Sequence, residues 1–167
     1  MAWTKKDPAQ LTINPFTLIG KDWFLLSAGT PEDYNTMTCS WGALGELWGE
    51  PSVTAYVRSS RHTFGYLEKN GLFTVSVFPE GYRKALAFCG SHSGRDCDKA
   101  AETGLEPVGI DGTVTFAQAR LVLVCEKVYA QDLSEALMTP EVRGTFYGSD
   151  AMHRMYIGRI LAAYERT

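Results

Sequence analysis

The 167-residue chain is 45% hydrophobic with a formal net charge of -3, which suits one domain with its own core and excludes a broadly basic face for nucleic acid or anionic lipid. No run approaches the ~18 apolar residues of a membrane span. The lysines of "MAWTKKDPAQ" have no apolar stretch behind them, so no export signal and a cytoplasmic location are expected.

Cys39, Cys89, Cys97 and Cys125 are scattered without a C-x-x-C pair and read as reduced thiols. No Pro/Ser-rich linker, repeat or like-charge block divides the chain, so residues 1–167 are expected to form a single domain.

In chain order, the first predicted strand is "FLLSAG" (24–29), closed by the turn signal "GTPEDYN". "TMTCSWGAL" (36–44) reads as the next, followed by the glycine-broken "GELWGEP". "SVTAYVR" (52–58) alternates cleanly, with Val53, Ala55 and Val57 on one face. "TFGYLEKNG" is a short helix, with Thr63 as N-cap and Gly71 as stop. "LFTVSVF" (72–78) reads as a half-buried strand with Phe73, Val75 and Val77 inward. "YRKALAFCG" and "RDCDKAAETG" are helices ending at glycine, and "TVTFAQARLVLVCEKVYA" (113–130) is two strands or one sharply bent one. "QDLSEAL" has the length of two helical turns, and "MYIGRILAAYE" (155–165) is the last strand. Short strands at regular spacing with small helices between them predict a mainly β, closed or nearly closed barrel.

Three stretches carry candidate chemistry. "VRSSRHT" (57–63) places Arg58, Arg61 and the hydroxyls of Ser59, Ser60 and Thr63 where a strand runs into a helix. Arginine forks, hydroxyls and free helix N-terminal amides are the donors a phosphate monoester needs. A solvated strand end would need no such cluster beside a helix start. "YNTMTCSWG" (34–42) sets Asn35, Thr38 and Ser40 beside Tyr34, Met37 and Trp41, which suits a heterocycle with polar edges. A core strand whose hydroxyls bond neighbouring backbone would carry the same residues. "CGSHSGRDCDK" (89–99) holds Cys89, His92 and Cys97 but no fourth ligand at zinc spacing and no P-loop pattern. It reads as a loop leading to a helix with Lys99, and His153 falls just before the last strand.

Taken in order, "NTMTCSWG", "RSSRHT" with its helix and "GLFTVSVF", "SGRDCDK", and a histidine before "YIGRI" resemble the flavin reductase-like family, flavoredoxin-type members above all. The resemblance covers residues 14 to 165. It implies a Greek-key FMN-binding split β-barrel that holds FMN non-covalently and forms a homodimer. By the same resemblance Arg58, Ser60, Arg61 and Thr63 match the phosphate segment, and Asn35, Met37, Thr38, Cys39, Ser40 and Trp41 the isoalloxazine segment. Ser93, Gly94, Arg95 and Lys99 match a further flavin-binding loop. His153 matches a histidine near flavin and nicotinamide, but Met152 precedes it where the family usually has Asp. The implied function is hydride acceptance from NADH or NADPH and electron delivery to free flavin, a partner protein or another small acceptor. The alternative is a flavoredoxin-like electron carrier without nicotinamide activity, and a third reading is a barrel binding some other phosphate ligand. Aromatic residues such as Trp41, Trp48, Tyr147 and Tyr156 lie in or beside glycine-containing segments. There they are expected to form the exposed patch of an interface.

Overall fold

The computed structural model describes residues 2–166. Its strands are β1 (Thr4–Lys6), β2 (Phe24–Thr30), β3 (Asp33–Cys39), β4 (Gly42–Leu47), β5 (Glu50–Arg58), β6 (Leu72–Val77), β7 (Pro107–Ile110), β8 (Thr113–Phe116), β9 (Leu121–Asp132) and β10 (His153–Glu165). The helices are short: α1 (Pro15–Thr17), α2 (His62–Lys69), α3 (Arg83–Ser91), α4 (Lys99–Thr103) and α5 (Pro140–Phe146).

One antiparallel sheet runs β3-β2-β6-β9-β10-β5-β4, with β1 on the far end of β10 and β7-β8 as a separate hairpin. Inward residues from its opposite ends share one cluster: Met37 and Cys39 of β3 meet Val53, Ala55 and Val57 of β5. A sheet whose two ends bury the same core has rolled up. Its rims, β3 and β4, are not paired to each other, so the barrel is split there. Two register shifts in β10 against β9, near Ile157/Gly158 and Ile160/Ala162, bend these long strands around the core. Gly158 is required at the bend, because a Cβ there would lie 2.4 Å from the Phe73 ring.

The alternation expected in β5 and β6 is present, but β6 is covered on both faces rather than half-buried. Thr74 and Ser76 are fully buried beneath β8, where Thr74 Oγ1 donates to Val114 O at 2.7 Å and Ser76 Oγ shares a hydrogen bond with Thr115 Oγ1. A second core of Leu25, Val122, Val124 and Ala162 lies on that outer face under Leu86, Cys89, Ala100 and Phe116.

The stretch 36–44 is not one strand, since the chain leaves β3 at Ser40–Trp41 and re-enters the sheet as β4. The 113–130 run resolves into β8 and β9, and β9 continues to Asp132, leaving only a single turn at Glu135–Leu137 of the expected "QDLSEAL" helix. Thr63 is not the N-cap of α2: Arg61 is, and its side chain makes no capping bond. Helix α3 passes through Gly90 instead of stopping there, and that glycine admits the Thr38 side chain, whose Cβ would lie 3.2 Å from an added Cβ. Helix α4 does end as expected, at a left-handed Gly104. No helix among the described residues is long and apolar enough to cross a membrane.

Candidate functional site

Where β5 runs into α2, the chain faces the loop between α3 and α4 across a polar cavity of about 300 Å³. Asn35, Ser60, Arg61, Thr63, Ser93, Gly94, Arg95 and Lys99 all line it. The two walls are stitched together by backbone carbonyls. Arg61 Nη1 donates to Gly90 O at 3.1 Å, and Arg95 Nη1 donates to Ser60 O at 3.2 Å. The remaining guanidinium donors stay available to a ligand. At the floor, Asn35 Nδ2 donates to Thr63 Oγ1 at 2.7 Å, tying the rim strand β3 to the first turn of α2. Gly94 sits against that pair so closely that a Cβ would fall 2.0 Å from Asn35 Oδ1. Only glycine fits there.

Lys99 is buried, and its ammonium donates to Thr36 O at 2.7 Å and Cys89 O at 2.8 Å. Burial, then the charge of Arg61, pulls it down to about 8. Burial also holds the His62 imidazole below its ordinary value, with Arg95, Lys99 and Lys69 adding repulsion. Among the described residues none of Arg61, Arg95 and Lys99 is in an ion pair, although Asp96 shares the wall. The cavity therefore concentrates positive charge beside an uncapped helix N-terminus, the electrostatics of an anion site. Its chemistry fits a phosphate monoester.

The other candidate residues are placed elsewhere. Arg58 turns away from the polar cavity: its guanidinium donates to Ala151 O at 2.6 Å and Phe146 O at 3.0 Å and lies over the Tyr147 ring. The reason is register, for Arg58 on β5 is paired directly with His153 on β10. The side chains of Met37 and Cys39 belong to the barrel core, and burial pushes the Cys39 thiol up to about 12. Thr38, on the opposite face of β3, donates to Leu86 O of α3. The side chains of Met37, Thr38 and Cys39 are thus all engaged within the fold.

Ser40 and Trp41 line a second, mostly apolar cavity of about 650 Å³, together with Phe16, Ile19, Leu44 and Tyr147. His153 stands behind its wall, with its ring 5.2 Å from Trp41 and its Nδ1 2.7 Å from the Tyr147 hydroxyl. Burial and the Arg58 charge lower His153 to about 4, so it is neutral near pH 7. Sequence reasoning missed His62, Ser91 and His92 as lining of the polar cavity. His62 had a local signal in its place inside the donor cluster, and Ser91 and His92 lie in the stretch 89–99 already singled out. It also expected Tyr147 and Tyr156 to be exposed, yet both are buried, while Trp41 and Trp48 are 45% and 67% exposed.

The family description "flavin reductase like domain" matches residues 18–167, and the chain belongs to that family. Among solved structures it is similar to the FMN-binding domain of a flavin reductases-like enzyme from Shewanella baltica, at 17% identity and TM-score 0.70, covering 98% of this chain and 76% of that one. It is similar as well to the flavoredoxin of Desulfovibrio vulgaris (Miyazaki F), at 18% identity and TM-score 0.69, with 98% and 77% covered. The NADH:FAD oxidoreductase of Streptomyces globisporus C-1027, solved with NAD and FAD fragments, aligns at 18% identity and TM-score 0.65, with 87% and 74% covered. At these identities the likeness is one of fold. The comparison with curated proteins finds no match.

Proposed function

We propose that the chain is an FMN-binding oxidoreductase that accepts hydride from NADH or NADPH and passes electrons to free flavin or another small or protein acceptor. The observation that carries this reading is the polar cavity: Arg61, Arg95 and Lys99, in no ion pair among the described residues, converge with the start of α2, which has no side-chain cap. Family membership supports flavin as the owner of the phosphate. Bound FMN supplies the hydride and electron chemistry.

The chain's own residues have separable tasks. Arg61, Arg95, Ser60 and the amides of His62 and Thr63 would hold the phosphate dianion, with Ser93 and the third proton of Lys99 at its edge. Among the described residues rim strand β3 pairs only with β2, so alternate backbone groups along its outer edge are free for the polar rim of a ring. Thr36 O is already taken by Lys99, and that bond fixes the strand against α3 and α4. Beyond Ser40, the apolar cavity would receive flat rings and exclude water. Arg58 serves this site indirectly, by holding the α5 end in place.

The proposed working unit is a homodimer. Phe16 is 87% exposed and Phe146 43% exposed around the Trp41 cavity, and a second copy would cover that apolar rim. Anaerobic mixing of the purified protein with FMN and each nicotinamide, followed by absorbance, tests the reading. Bleaching of the flavin band by NADH or NADPH is expected. Reduction by dithionite but by neither nicotinamide would leave an electron carrier, and failure to bind FMN would end the proposal.

A further inference from the structure

His153 is the first residue of β10, opposite Arg58, and only 7% exposed. Its Nδ1 meets the Tyr147 hydroxyl at 2.7 Å, and the two rings stand edge to face. No other hydrogen-bond partner of either group is present among the described residues. Nε2 is nevertheless not among the sealed polar atoms without partners, so the small remaining accessibility of the ring includes that atom. Trp41 and Tyr147, the two aromatic neighbours of the imidazole, both line the apolar cavity.

Two assignments of the shared proton are possible in principle. If Nδ1 carried it, the phenol proton would lose its acceptor and Nε2 would present a bare lone pair. If the phenol donates, both groups are satisfied and Nε2 keeps its hydrogen. Arg58 favours the second assignment. Its guanidinium carbon lies 5.1 Å from the Tyr147 ring centroid, where its field stabilises electron density on the phenol oxygen and strengthens that group as a donor. The same charge opposes an imidazolium. Arg58 cannot itself meet a ligand carboxylate in the cavity while it holds the carbonyls of Ala151 and Phe146.

We propose that Tyr147 is a positioning residue: its hydroxyl donates to Nδ1 and fixes His153 in the tautomer that carries its hydrogen on Nε2, behind the Trp41–Tyr147 wall of the apolar cavity. The functional consequence rests on the reading of that cavity as the place where flat reactants dock; the proton assignment does not.

The test is ¹⁵N–¹H NMR of histidine side chains in the flavin-free protein, with His153→Gln assigning the resonance among three histidines. The expected result is the Nε2–H tautomer at pH 7, still neutral at pH 5.5, with mixed tautomers in Tyr147→Phe. A Nδ1–H tautomer, or an imidazolium at pH 5.5, in the wild-type protein overturns the proposal whether or not the variant folds. With nicotinamide and FMN, Tyr147→Phe should lower kcat/KM about three- to tenfold, the worth of one oriented hydrogen bond. In a His153→Gln background, where the amide carries its own donor, the same change should cost under twofold. Equal losses in both backgrounds would make Tyr147 merely structural. If the tautomer is as stated but no nicotinamide oxidation occurs, the reductase reading fails and the proton assignment stands.

Discussion

Gly94→Ala isolates the construction of the polar cavity in one methyl group. Gly94 lies outside the left-handed region that glycine alone favours, so the cost of alanine there is steric. The new Cβ would stand 2.0 Å from Asn35 Oδ1, 2.9 Å from its Cγ and 3.1 Å from His62 Cδ2. Asn35 cannot swing aside freely, because it is buried and bonded to Thr63 Oγ1. Turning it away breaks a buried hydrogen bond, at about 1–3 kcal/mol. Leaving it in place overpacks the floor, also at about 1–3 kcal/mol. The chain takes the cheaper route, so the loss is about 1–3 kcal/mol and not the sum. For a domain of this size that lowers Tm by roughly 3–10 °C. Either route moves Thr63 and the start of α2, so FMN affinity should fall about tenfold or more. Thermal melting and flavin-fluorescence titration read the two effects. Gly65→Ala, on an exposed helical position with nothing within 4 Å of its Cβ, should instead stabilise by about 0.5–1 kcal/mol. Wild-type Tm and FMN affinity in Gly94→Ala would refute the cavity described above.

His153 is neutral when folded to about pH 4 but protonates near its ordinary value of ~6.5 when unfolded. The unfolded state thus binds more protons between those values, and stability falls as pH drops through that window; Tm should decline more steeply from pH 7 to 5 in the wild type than in His153→Gln, and parallel curves would contradict this. Burial pushes the thiols of Cys89 and Cys125 up as it does Cys39, so they stay protonated and unreactive. A variant with all four cysteines changed to Ala should still be reduced by nicotinamide, and loss of reduction with FMN bound would show a thiol step. Lys99→Met leaves Thr36 O and Cys89 O without their donor and should cost about 2–4 kcal/mol in a melt; a neutral result would deny that this amine fastens β3 to α3. Light scattering at micromolar concentration should give twice the chain mass, and a monomer that binds FMN and accepts hydride would refute the dimer.

Much of this was legible because it is local. Period-two alternation marked Val53, Ala55 and Val57 as inward, and the donor cluster from Ser60 to Thr63 did fall at one cavity. The same periodicity, applied to "NTMTCSW", separates Met37 and Cys39 from Thr38, so the six residues matched to the isoalloxazine could not all face one ligand. Helix α5 (Pro140–Phe146) was not expected, although Thr139 Oγ1 accepts from Val142 N as its N-cap. What was not legible depends on distant partners. Arg58 belongs to the α5 side because β10 lies against β5. Thr74 and Ser76 are buried because a hairpin forty residues later covers them. Nothing near Gly94 in sequence announces Asn35, fifty-nine positions away.

The central claim is that the Arg61–Arg95–Lys99 cavity reads a phosphate attached to a flavin. Its most direct test is calorimetric titration of FMN and riboflavin, which differ by that phosphate alone, into wild type and Arg61→Ala. The expected result is tighter binding of FMN than riboflavin by the wild type, with Arg61→Ala weakening FMN by about 2–4 kcal/mol and leaving riboflavin within twofold. Equal affinities for the two flavins in the wild type, or equal losses in the variant, would contradict it.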